Sequence, residues 1–353
     1  MKKKFFFAAL ATIALASCTT DESVFEGIAQ GDEINFAVAK YTPQTRAEHD
    51  EGVAFTENVT IWSWYNGSNT PVINADEYNP TTGQFDDNRK YYWPVNGQEL
   101  DFVSVPTEMA NKYLTTVERS SDGETTLTFD VNGTDYHGDN LMTTQVLTGD
   151  REDGSVALLF RHLFAKLYVN VNQSETSNTD AAWTVTLNKV TLNNLRKQGK
   201  VVINQDWTAA NEKGQNADHS WDSTTEDGED SWIVTSTDKD LTDGAYSSTE
   251  TYYILPQPLT ADEQTITIEY TVETDYLGNP TQPNTVETYK RTFSLSEVTN
   301  ISAWNMNKVI IYNISINPEE TLEQITFTAN EEVWSDNING DDNETNLGNS
   351  TQP

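Results

Sequence analysis

Alternation of apolar and polar residues runs through most of this 353-residue chain and limits its possible folds more than any other feature. The clearest case is 304–316, where nearly every even position is apolar. A repeat of two is that of a β-strand, whose successive side chains point to opposite faces. Further alternating segments lie at 127–131, 156–164, 167–171, 183–187 and 266–272. No long segment has the i, i+3, i+4 apolar spacing of a helix, so the sequence predicts an all-β protein of half-buried antiparallel strands.

Turn signals separate the alternating segments and predict a sandwich architecture. Pairs such as Asn66-Gly67, Asn132-Gly133 and Asp153-Gly154 favour tight turns between short strands. The alternation changes phase at Ala165-Lys166, either as a bulge within one long strand or as a crossing from one sandwich to the next. We place a domain boundary there, which gives an N-terminal sandwich over 47–165 and a C-terminal sandwich over 166–334.

Composition restricts the class of partner. The formal net charge of −34 argues against nucleic acid and anionic lipid, since both require clustered basic residues. With one cysteine the chain has no internal disulfide, so packed cores must supply the stability. The acidic stretch 207–238 is predicted to be a long surface loop or insertion, and the polar tail 335–353 is expected to be disordered.

The N-terminus has the features of a bacterial secretory signal. Three lysines, Lys2 to Lys4, precede the apolar run Phe5–Ala16, which is shorter than the roughly 20 residues that span a bilayer. Small residues and Cys18 follow. This ending resembles the lipobox of bacterial lipoproteins, in which the cysteine is acylated. The alternative is a plain signal peptide with an incidental cysteine.

No motif for catalysis, metal binding or a cofactor is evident. The sequence has four histidines, none in a metal-ligand spacing, and it contains no HExxH, CxxC, GxSxG or phosphate-binding glycine loop. The acidic loops at Asp227-Gly228 and Gly340 lack the glutamate that an EF-hand needs at its twelfth position, although loose surface calcium remains open. His162 falls on the inward side of an apolar strand, which favours a core histidine over a base. A carboxylate pair for glycoside hydrolysis stays open, and we predict no enzyme.

Two segments near opposite ends of the chain have the same pattern. Ile34, Phe36 and Val38 alternate in the first segment, and Ile325, Phe327 and Ala329 alternate in the second. These segments are either the first and last strands of a sandwich, or two strands that occupy the same groove one after the other, where a sandwich lacks one strand. In the second case a cut after Arg46 would release the first strand and a neighbouring molecule would supply the other.

The chain resembles the fimbrillin-like proteins, the type V pilins of Bacteroidales. The resemblance rests on the order of several short motifs: the INFAV-to-TPQTRA segment, Tyr92-Trp93-Pro94, the LLFRHLFAK run at 158–166, Ile254-Leu255-Pro256-Gln257 and the final ITFTANEEVW. It implies two tandem transthyretin-like antiparallel β-sandwiches after a lipoprotein signal (1–17) and a leader (18–46). It also implies delivery to the outer membrane as a lipoprotein and a final location in a fimbrium on the cell surface.

The resemblance assigns roles to individual residues. Cys18 would carry the lipid and provide the only membrane attachment. The Arg46-Ala47 bond would be cut by a trypsin-like, Arg-specific protease. Ile34, Phe36 and Val38 would form the removable strand, and Ile325, Phe327 and Ala329 the strand donated to another pilin subunit, which could be a second copy or a tip or anchor subunit.

A glycan-binding surface lipoprotein, monomeric and lipid-anchored, is the alternative function. Its basis is the tryptophan content, with Trp221 and Trp232 as the candidate stacking residues for a glycan or surface receptor. Trp62 and Trp64 share one strand face and also fit a stacking surface, but an inter-sheet core is the favoured interpretation for these two.

Overall fold

The computed structural model describes residues 32–40, 53–54, 56–131, 142–143, 147–151, 154–203, 221–224, 231–236, 238–248, 252–261, 263–277, 281–306, 308–319 and 325–333. These residues form mostly strands, with the helices α1 (Thr107–Tyr113) and α2 (Leu295–Val298) and a 3-10 turn at Asp86–Asn88. The strands are β1 (Asn35–Lys40), β2 (Val53–Ala54), β3 (Val59–Tyr65), β4 (Pro71–Asn79), β5 (Gln84–Phe85), β6 (Leu100–Pro106), β7 (Leu114–Arg119), β8 (Thr125–Asp130), β9 (Met142–Thr143), β10 (Leu147–Gly149), β11 (Ser155–His162), β12 (Ala165–Gln173), β13 (Ala182–Asn193), β14 (Gln198–Ile203), β15 (Trp221–Thr224), β16 (Ser231–Thr235), β17 (Lys239–Asp240), β18 (Tyr246–Ser247), β19 (Tyr252–Ile254), β20 (Gln257–Pro258), β21 (Thr265–Asp275), β22 (Thr285–Ser294), β23 (Ala303–Trp304), β24 (Lys308–Ile316) and β25 (Ile325–Val333).

The described strands form five larger sheets. The leader sheet has the order β2-β1-β11-β9, the central sheet β10-β6-β3-β4-β5, and the bridging sheet β15-β14-β8-β7. The long sheet has the order β16-β13-β21-β22 with β17 beside β13, and the C-terminal sheet has β18-β12-β24-β25 with β19 beside β12. β20 and β23 form a separate pair.

The central sheet is buried on both of its faces. Leu100 and Phe102 of β6 share a core with the leader sheet. Val103 and Val105, on the opposite face of β6, belong to the large core that includes the bridging sheet and the C-terminal half. The N-terminal part therefore has three layers of sheet, which differs from the half-buried strands that alternation predicts, because polar residues of β3 and β6 are enclosed as well. Ser104 shows how such a residue is accommodated, since its hydroxyl donates to the Thr60 carbonyl at 3.0 Å.

The C-terminal part packs the long sheet against the C-terminal sheet. Tyr270 of β21 and Tyr312 and Ile314 of β24 are fully buried in the same core. The indole nitrogen of Trp304 donates to the Tyr312 hydroxyl at 2.7 Å, which satisfies a polar group in the interior. Burial raises the pKa of the Tyr312 phenol well above its usual value.

The all-β, mainly antiparallel architecture predicted from alternation is confirmed. Among the described strands, two pairings are parallel instead: β1 with β11, and β12 with β24. Alternation could not reveal this, because side chains repeat every two residues in both kinds of pairing. His162 is 4% exposed, in agreement with a core histidine.

The phase change near residue 165 is a crossing between sheets. β11 ends at His162 in the leader sheet and β12 begins at Ala165 in the C-terminal sheet. The bridging sheet joins strands from both sides of this point, since β14 pairs with β8 along its whole length.

The prediction of a long loop over 207–238 needs correction. Residues 221–224 form β15, the terminal strand of the bridging sheet, and residues 231–235 form β16, the terminal strand of the long sheet. The acidic and polar composition of this stretch conceals the two strands, because a terminal strand pairs on one side only and does not require an apolar pattern. Residues 204–220 and 225–230, like the predicted tail 335–353, lie outside the described residues.

A buried ion pair links the central and bridging sheets. The Arg119 guanidinium of β7 meets the Asp101 carboxylate of β6, and both side chains are almost completely enclosed. Thr148 donates to Asp101 at 2.6 Å, and Arg119 donates to the Thr125 hydroxyl at 2.6 Å. The guanidinium also lies 5.2 Å from the centre of the Trp64 ring. Every charge in this cluster has a partner, which is the condition for an ion pair to be tolerated in a core.

Replacing Arg119 with Met is expected to lower the free energy of unfolding by about 3–5 kcal/mol, because Asp101 would remain buried without a counter-charge. Urea unfolding followed by tryptophan fluorescence measures the loss. The matched control is Arg89→Met. This change breaks the ion pair between Arg89 and Asp76, in which the arginine side chain is 54% exposed. That change should have little effect on stability, because solvent screens an exposed pair. Equal losses in the two variants would contradict a structural role for the buried pair.

Candidate functional site

The strand predicted to be removable is an integral part of the leader sheet. β1 runs parallel to β11, with Phe36 opposite Val156 and Val38 opposite Leu158. Its last two residues pair antiparallel with β2. β1 therefore lies between two strands, and its departure would leave the β11 backbone unpaired along most of its length. An unpaired strand edge is a template for another strand.

The inward side of β1, the leader strand, fills a hydrophobic core. Ile34 is 3% exposed and Phe36 is 8% exposed, whereas Val38 is half-buried. The Phe36 ring makes edge-to-face contacts with three rings, which define the Phe36 pocket: Tyr78 at 5.2 Å, Phe85 at 5.9 Å and Phe102 at 5.6 Å between centroids. Such pairs contribute about 0.5–1.5 kcal/mol each beyond the burial itself.

Tyr78 also binds the leader through its backbone. Its hydroxyl donates to the Phe36 carbonyl oxygen at 3.3 Å. Burial raises the pKa of the Tyr78 phenol above its ordinary value. A carbonyl acceptor is present in any strand, and this hydrogen bond is therefore open to a strand of different sequence in the same position.

The start of the leader strand is held by backbone hydrogen bonds and two surface ion pairs. The amide of Ile34 donates to the Tyr91 carbonyl, and the amide of Trp93 donates to the Asp32 carbonyl, each at 2.9 Å. Glu33 lies 2.9 Å from the Lys90 ammonium, and Asp32 lies 2.7 Å from the Arg151 guanidinium. The hydrogen bond with Asp32 raises the pKa of Arg151. Exposed pairs of this kind add little stability, but they favour one alignment of the strand.

The strand predicted to be donated lies elsewhere, at the end of the C-terminal sheet. β25 pairs antiparallel with β24, with Phe327 opposite Ile314 and Ala329 opposite Tyr312. Ile325, Phe327 and Ala329 are only half-buried. The Phe327 ring contacts Phe293 of the long sheet edge to face at 4.8 Å. The removable strand is thus a core element, while the C-terminal strand is a partly exposed edge.

The side chains of the remaining predicted site residues fall outside what the structure describes. Cys18, Arg46 and Ala47 belong to undescribed segments. The backbone of Trp221 lies in β15 and that of Trp232 in β16, but their side chains are not described. The sequence did not identify the residues that surround the leader, such as Tyr78, Phe85 and Arg151, because neither an aromatic residue nor an exposed arginine carries a signal of which strand it will contact.

Trp62 and Trp64 are core residues, in agreement with the interpretation that the sequence favours. Their exposed fractions are 7% and 5%. Trp62 forms part of the wall of a cleft of about 340 Å³ beside α1, together with Glu77 and Asn111, but too little of its ring is open for stacking on a sugar. In the described part of the chain, no group of three acidic, histidine or cysteine side chains is arranged to hold a metal ion. Nor does any described helix have the length and apolar character to cross a membrane.

Replacing Phe36 with Ala in the uncut chain is expected to lower the free energy of unfolding of the N-terminal part by about 3–5 kcal/mol, since a cavity would form in the Phe36 pocket. Chemical denaturation of the full chain measures the change. Ala37→Ser, on the exposed side of the same strand, is the control and should have almost no effect. A Phe36 variant as stable as the parent would show that the leader strand is not part of the core.

Comparison with known proteins adds a family match. The profile of a family described as fimbrillin-like matches residues 45–334. Among solved structures, a fimbrial protein from Bacteroides vulgatus ATCC 8482 is 16% identical with a TM-score of 0.54, over 86% of this chain and 100% of that chain. A candidate cell adhesion protein from Bacteroides uniformis ATCC 8492 is 17% identical with a TM-score of 0.48, over 86% of this chain and 99% of that chain. No curated protein sequence gives a significant match. At these identities the B. vulgatus structure shows a shared fold.

Proposed function

We propose that this chain, which belongs to the fimbrillin-like family, is a structural subunit of a cell-surface fimbria that contributes to adhesion and has no enzymatic role. The observation that carries the proposal is the leader strand. It completes a core with Ile34 and Phe36, yet the same I-x-F pattern recurs in the half-buried C-terminal strand. One groove and two matching strands are the components that strand exchange between subunits requires.

Export and maturation form the first stage of the proposed route. Lipid on Cys18 delivers the precursor to the outer membrane, and an Arg-specific protease then cuts the Arg46-Ala47 bond. Support comes from the connectivity of the chain, because residues 41–52 join β1 to β2. A cut between residues 46 and 47 separates the leader covalently and leaves every other described strand on the mature chain.

Exchange of strands forms the second stage. After the cut, β1 is held only by noncovalent contacts, and its loss exposes apolar side chains of β11 and the central sheet. The C-terminal strand of a neighbouring subunit can fill this space. Its Phe327 passes from a half-buried edge into an enclosed position, and burying apolar surface is favourable by about 25 cal/mol per Å². Because the acceptor and donor lie at different places on one subunit, repeated exchange produces an open filament.

Negative-stain microscopy combined with N-terminal sequencing of surface material tests the proposal. Filaments whose subunits begin at Ala47 are expected. Material that begins at Cys18, carries lipid and forms no filaments would contradict both the cut and the assembly.

A monomeric glycan-binding lipoprotein is the second candidate. The observation in its favour is that Trp221 and Trp232 belong to terminal strands of their sheets, which pair with a neighbour on one side only. A glycan array with the parent chain and the Trp221→Ala variant separates the two functions. A specific signal that disappears in the variant, from a protein that stays monomeric after protease treatment, would favour glycan binding.

A further inference from the structure

We infer that the incoming C-terminal strand occupies the groove in the same direction and register as the leader, so that Phe327 of one copy enters the Phe36 pocket of the next. This inference rests on the proposed strand exchange. It goes further by assigning a specificity pocket, a direction and a residue-by-residue alignment.

The two strands match position by position when read in the same direction. Superimposing Ile34 on Ile325 places Phe36 on Phe327 and Val38 on Ala329. It also places Glu323 where Asp32 stands, two residues before the isoleucine. The reverse direction loses this correspondence, since Ala329 would then take the place of Ile34. The matching order therefore favours a donor strand parallel to β11, as β1 is.

The Phe36 pocket selects the register. Three aromatic rings surround Phe36 at centroid distances of 5.2, 5.6 and 5.9 Å, and this enclosure suits another phenylalanine. A slip of two residues would place Ile325 or Ala329 in the pocket instead. Neither side chain supplies an aromatic ring, and alanine would leave a cavity. A slip of one residue would turn Thr326 or Thr328 inward, because the side chains of a strand alternate.

One of the two ion pairs at the start of the groove favours the same alignment, since Glu323 takes the place of Asp32, whereas the neutral Gln324 takes the place of Glu33. Arg151 pairs with Asp32 of the leader at 2.7 Å and would lose its partner when the leader departs. An acidic residue two positions before the isoleucine of the incoming strand restores a partner of the right charge. A strand shifted along the groove would not present its carboxylate at this point.

Cysteine cross-linking in an almost cysteine-free chain tests the register. The single natural cysteine, Cys18, precedes the cut, so the mature chain has none. Ala37 pairs with Ala157 in the leader register, and the alignment puts Thr328 in the place of Ala37. Ala157 and Thr328 both point to the exposed side. The full-length A157C/T328C variant is treated with an Arg-specific protease, oxidised, and compared with A157C/T326C and A157C/N330C, which report slips of two residues.

The expected result is disulfide-linked ladders at least tenfold stronger for A157C/T328C than for either slipped pair, and none when Arg46→Ala is added. Filaments whose strongest link comes from position 326 or 330, or that give no link with any of the three pairs, would overturn the register while leaving strand exchange intact. If the parent chain is cut but forms no filaments, the proposed function itself fails, and the two failures are thereby distinguished.

Discussion

An Arg46→Ala variant is expected to accumulate as a folded, uncut precursor that forms no filaments. The leader strand remains covalently attached, and a tethered strand re-enters its groove far faster than a strand from another molecule can arrive, because its effective concentration is of millimolar order. Treating parent and variant with an Arg-specific protease, followed by denaturing gels and microscopy, measures the effect. The expected change is complete loss of the ladder of polymers.

Arg291→Ala is the matched control for this variant. Arg291 is exposed in β22 and is followed by a small polar residue, but it lies within a paired strand, where a protease has poor access. Its replacement should leave maturation and assembly unchanged. Polymers of normal length from the Arg46 variant would show that assembly does not depend on releasing the leader at this bond.

Removing residues 323–353 is expected to give a subunit that is cut normally but cannot polymerise by itself. The truncation deletes β25 and leaves the leader sheet and its groove untouched. Phe293 loses its contact with Phe327 and β24 loses its pairing with β25, so the C-terminal part should be less stable than in the full-length chain. Added in small amounts to the full-length chain, the truncated protein should accept a strand, donate none and shorten the filaments.

A shorter deletion, of residues 335–353 only, controls for the loss of chain length and charge. It keeps every residue of β25. Filaments from this shorter deletion and none from the longer one would assign donation to the C-terminal strand. Filaments of normal length from the longer deletion would place the donor elsewhere in the chain.

Local patterns sufficed to predict the class of fold and the two strands of interest. A period of two appears directly in the sequence, and so does the repeated I-x-F motif. The pairing of strands that are distant in the sequence has no comparable local signal. The parallel neighbours of β1 and β12 could not be predicted, because alternation describes the faces of a strand and not its partners.

The enclosed polar residues show a second limit. Asp101 and Arg119 are charged, and a sequence pattern places such residues at the surface. Their burial follows from the topology, because β6 of the central sheet and β7 of the bridging sheet face each other and bring the two charges together. The Phe36 pocket also depends on the topology, because Tyr78, Phe85 and Phe102 come from three different strands, β4, β5 and β6. Sites assembled from several strands depend on topology, which this sequence does not specify locally.

We propose that a neighbour's C-terminal strand replaces the leader strand beside β11. Electron cryo-microscopy of filaments assembled from protease-treated protein tests it most directly, at a resolution that separates aromatic from aliphatic side chains. We expect continuous density from the C-terminal part of one subunit into the groove of the next, with Phe327 between Tyr78, Phe85 and Phe102. A groove still filled by Ile34 and Phe36 of the same subunit would contradict it.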